Sequence, residues 1–185
     1  MSKRDDILAA TLDLITEEGL QSITFSKLFQ RANVGSGTVY NYFANKEELV
    51  GALYLRTINH FSDSMLKEYD RTESIYPCFQ RLLKNMATFA QVYQKEQWFL
   101  ENYSHSPFIS EEIRNREIPA MKECMLLIER GMEQGMIRSV NPLMCVQMIS
   151  GMLLSAVQGA LLGKYPMDEK VFDQVIEICW RAVVI

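Results

Sequence analysis

The sequence predicts an all-α protein, in which a small N-terminal three-helix domain with a helix-turn-helix precedes a larger helical domain. Three observations carry this. Apolar residues recur at helical spacing along the chain, and β-branched alternation is nearly absent. Gly and Pro are scarce, at 9 and 5 in 185 residues, which leaves little room for linkers. With 48% hydrophobic residues the chain can bury a real core, in one domain or in a small one plus a larger one.

The elements follow in order. "SKRDDILAATLDLITEEG" opens with Ser2 as N-cap and Asp5 three residues on; Ile7, Ala10, Leu14 and Ile15 share a face, and Gly19 is a natural stop. Thr24 caps "FSKLFQRA", and Asn33 suits the turn that follows because Asn tolerates the left-handed conformation. Gly35 or Ser36 starts "GTVYNYF", about two turns of helix. Asn45 caps the next helix, with Glu47 and Glu48 at the positive end of its dipole. The composition shifts after Tyr69 without a linker, so the boundary is soft; the domains are expected as 1–47 and 48–185. "ESIYPCFQRLLKNMATFAQVYQKEQWFLENY" reads as one helix or two. Ser110 caps a segment that Pro119 should kink or interrupt. Asn141 caps Pro142 at the head of "PLMCVQMISGMLLSAVQGALLG", and "MDEKVFDQVIEICWRAVVI" closes the chain.

Two short helices joined by a tight turn, Thr24 to Phe43, have the form that lays its second helix in a DNA major groove. At about 100° per residue, Val39 and Phe43 fall together toward a core, and Gly37, Thr38 and Asn41 fall opposite. Gly37 would let the backbone approach the bases, and Asn41 can offer a donor and an acceptor to an adenine edge. Tyr40 and Tyr42 flank that face. The tyrosine hydroxyls with Thr24, Thr38 and Lys46 can hydrogen-bond phosphates, which fixes register. Charge agrees. The chain is acidic overall, at −4, yet residues 19–46 hold Lys27, Arg31 and Lys46 and no acid. Three cations bind DNA weakly as one copy, so a two-fold pair reading two half-sites is expected. The competing reading is a helical protein-interaction or membrane-attached module that keeps the hairpin without specific DNA binding.

These residues resemble the TetR family of bacterial transcriptional regulators. The likeness covers about residues 4–50 and rests on Ile7, Ala9-Ala10, Leu14, Gly19, Thr24, Leu28, Val34, Gly37-Thr38, Tyr40, Phe43, Lys46, Glu47 and Leu49. It implies a homodimer with a DNA-binding head and a divergent C-terminal domain that takes a small effector, whose binding releases the operator. Three positions depart from the pattern: Asn33 stands for the usual Gly, Gly35 for a common capping Ser, and Lys27 for an acid of the capping box. Ser36 would then cap or touch DNA, and Lys27 adds a phosphate contact. The expected base contacts are Ser36, Gly37, Tyr40 and Asn41; the expected phosphate contacts are Thr24, Lys27, Thr38, Tyr42 and Lys46.

Family members dimerise through their last two helices. Here no charge falls between Ser139 and Gly163. Gly151, Ser155, Gly159 and Gly163 form a small-residue ridge, and Val171, Val175, Ile178 and Ala182 a stripe on the last helix, which suits a four-helix interface. The uncharged run is also long enough to span a membrane, but Gln147, Ser150, Ser155 and Gln158 interrupt it. Phe61, Met65, Met86, Phe89, Tyr93, Trp98, Phe99, Tyr103, Met121 and Met125 offer adaptable apolar surface for a lipophilic or aromatic effector, though such residues also build ordinary cores. Catalysis and cofactors are not expected. There are only two histidines, His60 and His105, and no nucleophile, P-loop or dinucleotide motif. His105 near Glu101 is too few ligands for a metal. Cys78, Cys124, Cys145 and Cys179 show no close spacing, and no apolar leader follows "MSKRDD", so free thiols in a cytoplasmic protein are expected.

Overall fold

A computed structural model describes residues 2–185. Ten α-helices account for the regular structure among them: α1 Lys3–Glu18, α2 Phe25–Arg31, α3 Ser36–Tyr42, α4 Lys46–Met65, α5 Ile75–Val92, α6 Gln94–Tyr103, α7 Glu111–Arg114, α8 Pro119–Glu133, α9 Pro142–Leu161 and α10 Glu169–Arg181. A 3-10 turn, Leu20–Ser22, follows α1.

Local signals set most ends. Ser2 and Asp5 close a capping box on α1, Thr24 Oγ1 accepts from Lys27 N, and Asn45 Oδ1 accepts from Glu48 N at 2.8 Å. Gly19, at φ 82°, ends α1, and Asn33, at φ 51°, turns the chain out of α2. The helix that could have been one or two breaks at Tyr93 into α5 and α6. Pro119 does not kink a helix. It occupies the first position of α8, where its missing N–H costs nothing and its fixed φ suits the start.

The helices gather in two compact units. The first comprises the chain up to His60 with Tyr93–Arg116. Its core joins Ile7, Leu8, Ile15, Leu28, Val39, Phe43, Leu49 and Leu53 to Phe99 of α6 and Ile109 of the following loop. The head is thus larger than α1–α3: α6 lies on α1, Lys95 pairs with Asp13, and the Tyr103 hydroxyl accepts from Leu20 N. Tyr103 and Trp98 pack ring on ring beside it, at 5.5 Å.

The second unit comprises Phe61–Val92 and Glu117–Ile185. Leu82, Leu127, Ile149, Leu153, Val157, Ile176 and Cys179 are among its buried residues, supplied by α5, α8, α9 and α10. Polar contacts tie the loop before α5 to α8. Arg71 binds the buried Glu123, and Arg130 donates to the Arg71 and Glu73 carbonyls.

Candidate nucleic-acid interface

α2 and α3 form the helix-turn-helix. Leu28 at the centre of α2, Val39 on α3 and Phe43 directly after it are fully buried, which fixes how α3 is rolled. The roll leaves Ser36, Gly37, Tyr40, Asn41 and Tyr42 exposed and Thr38 half-buried. All four residues expected to meet bases therefore share the outer surface of one short helix. Tyr40 is 57% exposed even though its ring leans on Phe25 at 4.9 Å and on Phe29 at 6.0 Å. That aromatic support orients the phenol while more than half of the residue stays open to solvent.

Gly35 is the N-cap of α3 and supplies no side chain, so the first N–H groups of α3 have no side-chain cap. A Cβ added at Gly35 or Gly37 would meet nothing within 4 Å. Neither glycine has a positive φ. Neither sterics nor backbone conformation among the described residues requires a glycine at 37.

The cations are less free than their sequence suggests. Lys27 pairs with Glu18, and Arg31 grips Glu17 through both terminal guanidinium nitrogens. Lys46 Nζ lies 4.9 Å from the Phe108 ring centroid and 3.4 Å from the Gln21 carbonyl, and desolvation there lowers its pKa. Phe108 and the two glutamates lie outside the segment that carries the motif, so a window over residues 19–46 misses them. The acid pair directly before Gly19 was the available signal.

In the second unit the uncharged helix α9 has two faces. Cys145, Val146, Ile149, Leu153 and Val157 are buried. Met144, Met148, Gly151, Ser155, Gln158 and Leu162 are exposed, spaced four and three residues apart in turn. Gly151 and Ser155 belong to that open stripe, whereas Gly159 lies inside, where a Cβ would collide with the Tyr165 ring. Its smallness serves a contact within the chain. Gly163, at φ 72°, forms the turn after α9. On α10, Val171 and Val175 are half-buried, and Ile178 and Ala182 are exposed.

The ten expected pocket residues are divided between the two units. Phe99 is a core residue of the head, and Tyr93, Trp98 and Tyr103 belong to the same unit, because α6 packs on α1. Phe61, Met65, Met86, Phe89, Met121 and Met125 fall in the second unit, and of these only Met65 and Met86 line its apolar cleft. The cleft is completed by residues such as Leu82, Cys124, Leu127 and Ile149. Its free volume is about 30 Å³, room for little more than one water. Burial pushes the Cys124 thiol up to about 12, with Glu123 adding to the shift.

Comparison with known proteins covers nearly the whole chain. Residues 7–53 match the family described as bacterial regulatory proteins, tetR family, and residues 54–185 match the tetracyclin repressor-like C-terminal domain. An HTH-type transcriptional regulator of Haemophilus influenzae is 25% identical over 181 residues, 97% of this chain and 94% of that one. A TetR family transcription regulator from Marinobacter aquaeolei shares the fold with a TM-score of 0.88 at 20% identity, over 98% of this chain and 95% of that one. The regulator FadR from Bacillus subtilis, solved in complex with stearoyl-CoA, shares it with a TM-score of 0.75 at 19% identity, over 95% and 96%. With a helix-turn-helix whose outer face is open, and family matches running from residue 7 to residue 185, the chain belongs to the TetR family of DNA-binding transcriptional regulators.

Proposed function

We propose that the protein is a cytoplasmic repressor that binds a near-palindromic operator as a homodimer and leaves it when an uncharged lipophilic molecule enters the second unit. The observation that carries the DNA reading is the outer face of α3. Ser36, Gly37, Tyr40 and Asn41 stand exposed together on a helix locked from behind by Val39 and Phe43. Thr24, Lys27, Thr38, Tyr42 and Lys46 surround that face as phosphate contacts that set register.

The dimer reading rests on α9. Met148 and Leu162 are 61% and 66% exposed on a stripe without any charge, a pattern that a second copy of the same helix would cover. α9 is also the one helix among the described residues long and apolar enough to cross a membrane. Gln147, Ser155 and Gln158 on its open side favour a protein partner over lipid. The effector reading rests on the cleft, whose walls carry no ionisable group besides a thiol held neutral. The aliphatic chain of stearoyl-CoA, the ligand in the Bacillus subtilis FadR structure, shares that apolar character, although its CoA moiety does not.

The test is binding to fragments of the source genome under excess bulk DNA, with mass measured by light scattering. A dimer that selects an inverted repeat supports the proposal. Met148→Glu with Leu162→Glu should give a folded monomer that loses the operator. A wild-type monomer at micromolar concentration, or equal affinity for all fragments, refutes it.

A further inference from the structure

Glu17 and Glu18 stand in the last turn of α1, the end of the helix dipole that favours cations, and no basic residue accompanies them there. Helix physics alone disfavours both. Their carboxylates run instead to α2. Arg31 Nη1 donates to Glu17 Oε1 at 2.9 Å while Nη2 engages Oε2, and Lys27 Nζ pairs with Glu18 Oε2. The Arg31 hydrogen bonds hold the Glu17 carboxyl below its ordinary range, with the guanidinium charge adding to the effect. All four side chains are more than a third exposed, so the pairs contribute little to the fold. Lys27 and Arg31 belong to α2, the first helix of the helix-turn-helix, which crosses the DNA backbone in that motif. The first 46 residues carry five cations and five acids; without these two glutamates the cations would exceed the acids by two.

We propose that Glu17 and Glu18 are built-in stand-ins for DNA phosphates. In the free protein they occupy Arg31 and Lys27, so each phosphate contact made by these cations must first open an ion pair. On arbitrary duplex the pairs stay closed, and few counterions are released. On the operator, α3 meets its bases and holds the backbone in register, and the cations exchange carboxylate for phosphate. The glutamates thereby lower non-specific binding more than specific binding.

The test compares wild type with Glu17→Gln/Glu18→Gln on a labelled random-sequence duplex across a potassium chloride series. Should the double variant not fold, the single Glu18→Gln carries the same comparison with half the effect. The double variant is expected to bind random duplex about tenfold or more tightly at low salt, with a log–log salt slope steeper by up to roughly two phosphate contacts, about 0.9 each. Adding Lys27→Gln and Arg31→Gln should erase the gain. An unchanged or weaker affinity with the wild-type slope overturns the proposal. So does a gain that survives loss of both cations, since it would come from net charge alone. A merely structural role would lower the melting temperature and leave the slope where it was.

Discussion

Replacing Gly37 by Ala separates folding from DNA recognition, because the two should move in opposite directions. Gly37 is the second residue of α3, its backbone is ordinary helix, and a Cβ there would project into open space. Gly costs a helix about 0.5–1 kcal/mol relative to Ala, so the substitution should stabilise the head by up to that amount. For a chain of this size that is about 1–4 °C in melting temperature. At the DNA the same methyl would enter a surface packed against the groove. Overpacking a close contact by one methyl costs about 1–3 kcal/mol, a loss of about 5- to 150-fold in operator affinity. Scanning fluorimetry gives the first quantity and anisotropy titration at fixed salt gives the second. A variant that melts higher and binds the operator as tightly as wild type would refute the close approach of α3 to the bases.

Other expectations follow from single positions. Asn33→Ala places a Cβ-bearing, non-bonding residue at φ 51° and should cost about 1–2 kcal/mol in urea unfolding, whereas Asn33→Gly should be tolerated. Phe99→Ala should cost about 3–5 kcal/mol and abolish DNA binding without touching α3, because the ring completes the head's core; retention of wild-type stability would show that α6 is dispensable there. Cys124 rises from 9.0 to about 12 on folding, so its contribution is intact below pH 9 and is lost as pH climbs through 12. Cys124→Ala should therefore flatten the fall of stability across that window, and identical pH profiles for variant and wild type would contradict the assignment. Lys46→Ala should weaken binding to all sequences alike and reduce the salt slope by about one contact.

Where a residue acts on its own neighbours, the sequence is enough to place it. Ser2, Thr24, Asn45 and Asn141 cap because a short polar side chain reaches an N–H two or three residues on. Gly19 and Asn33 turn because of their own backbone freedom. The roll of α3 followed from periodicity, since Val39 and Phe43 are the only large apolar pair on one side of it. Long-range contacts are less legible. Phe99 and Tyr103 read as adaptable apolar surface, and that α6 packs on α1, a contact more than 80 residues apart in sequence, is something no local pattern encodes. Pro119 is expected to kink or interrupt its segment; the segment is interrupted, with α7 ending at Arg114 and α8 beginning at Pro119 itself. Gly159 read as a place for another helix, yet Tyr165, six residues on, folds back over it and donates to the Ala156 carbonyl.

The two faces of α9 bear on how a ligand could reach the DNA-binding state. Val146, Ile149 and Ser150 wall the apolar cleft, and Met148 and Gly151, their immediate neighbours in the chain, lie on the open stripe. A helix moves as a body on this scale, so the same displacement appears on both sides of it. With about 30 Å³ free, any ligand larger than a water must push walls apart, and Met65, Met86 and Cys124 can rearrange only so far. Close-packed interiors resist partial strain and shift between discrete arrangements instead. Filling the cleft therefore has to move α9, α8 or α5, and a shift of α9 would alter the surface assigned to the second copy. If the cleft takes the effector and the open stripe the second copy, as proposed, no separate relay is needed, because one helix is the wall of both.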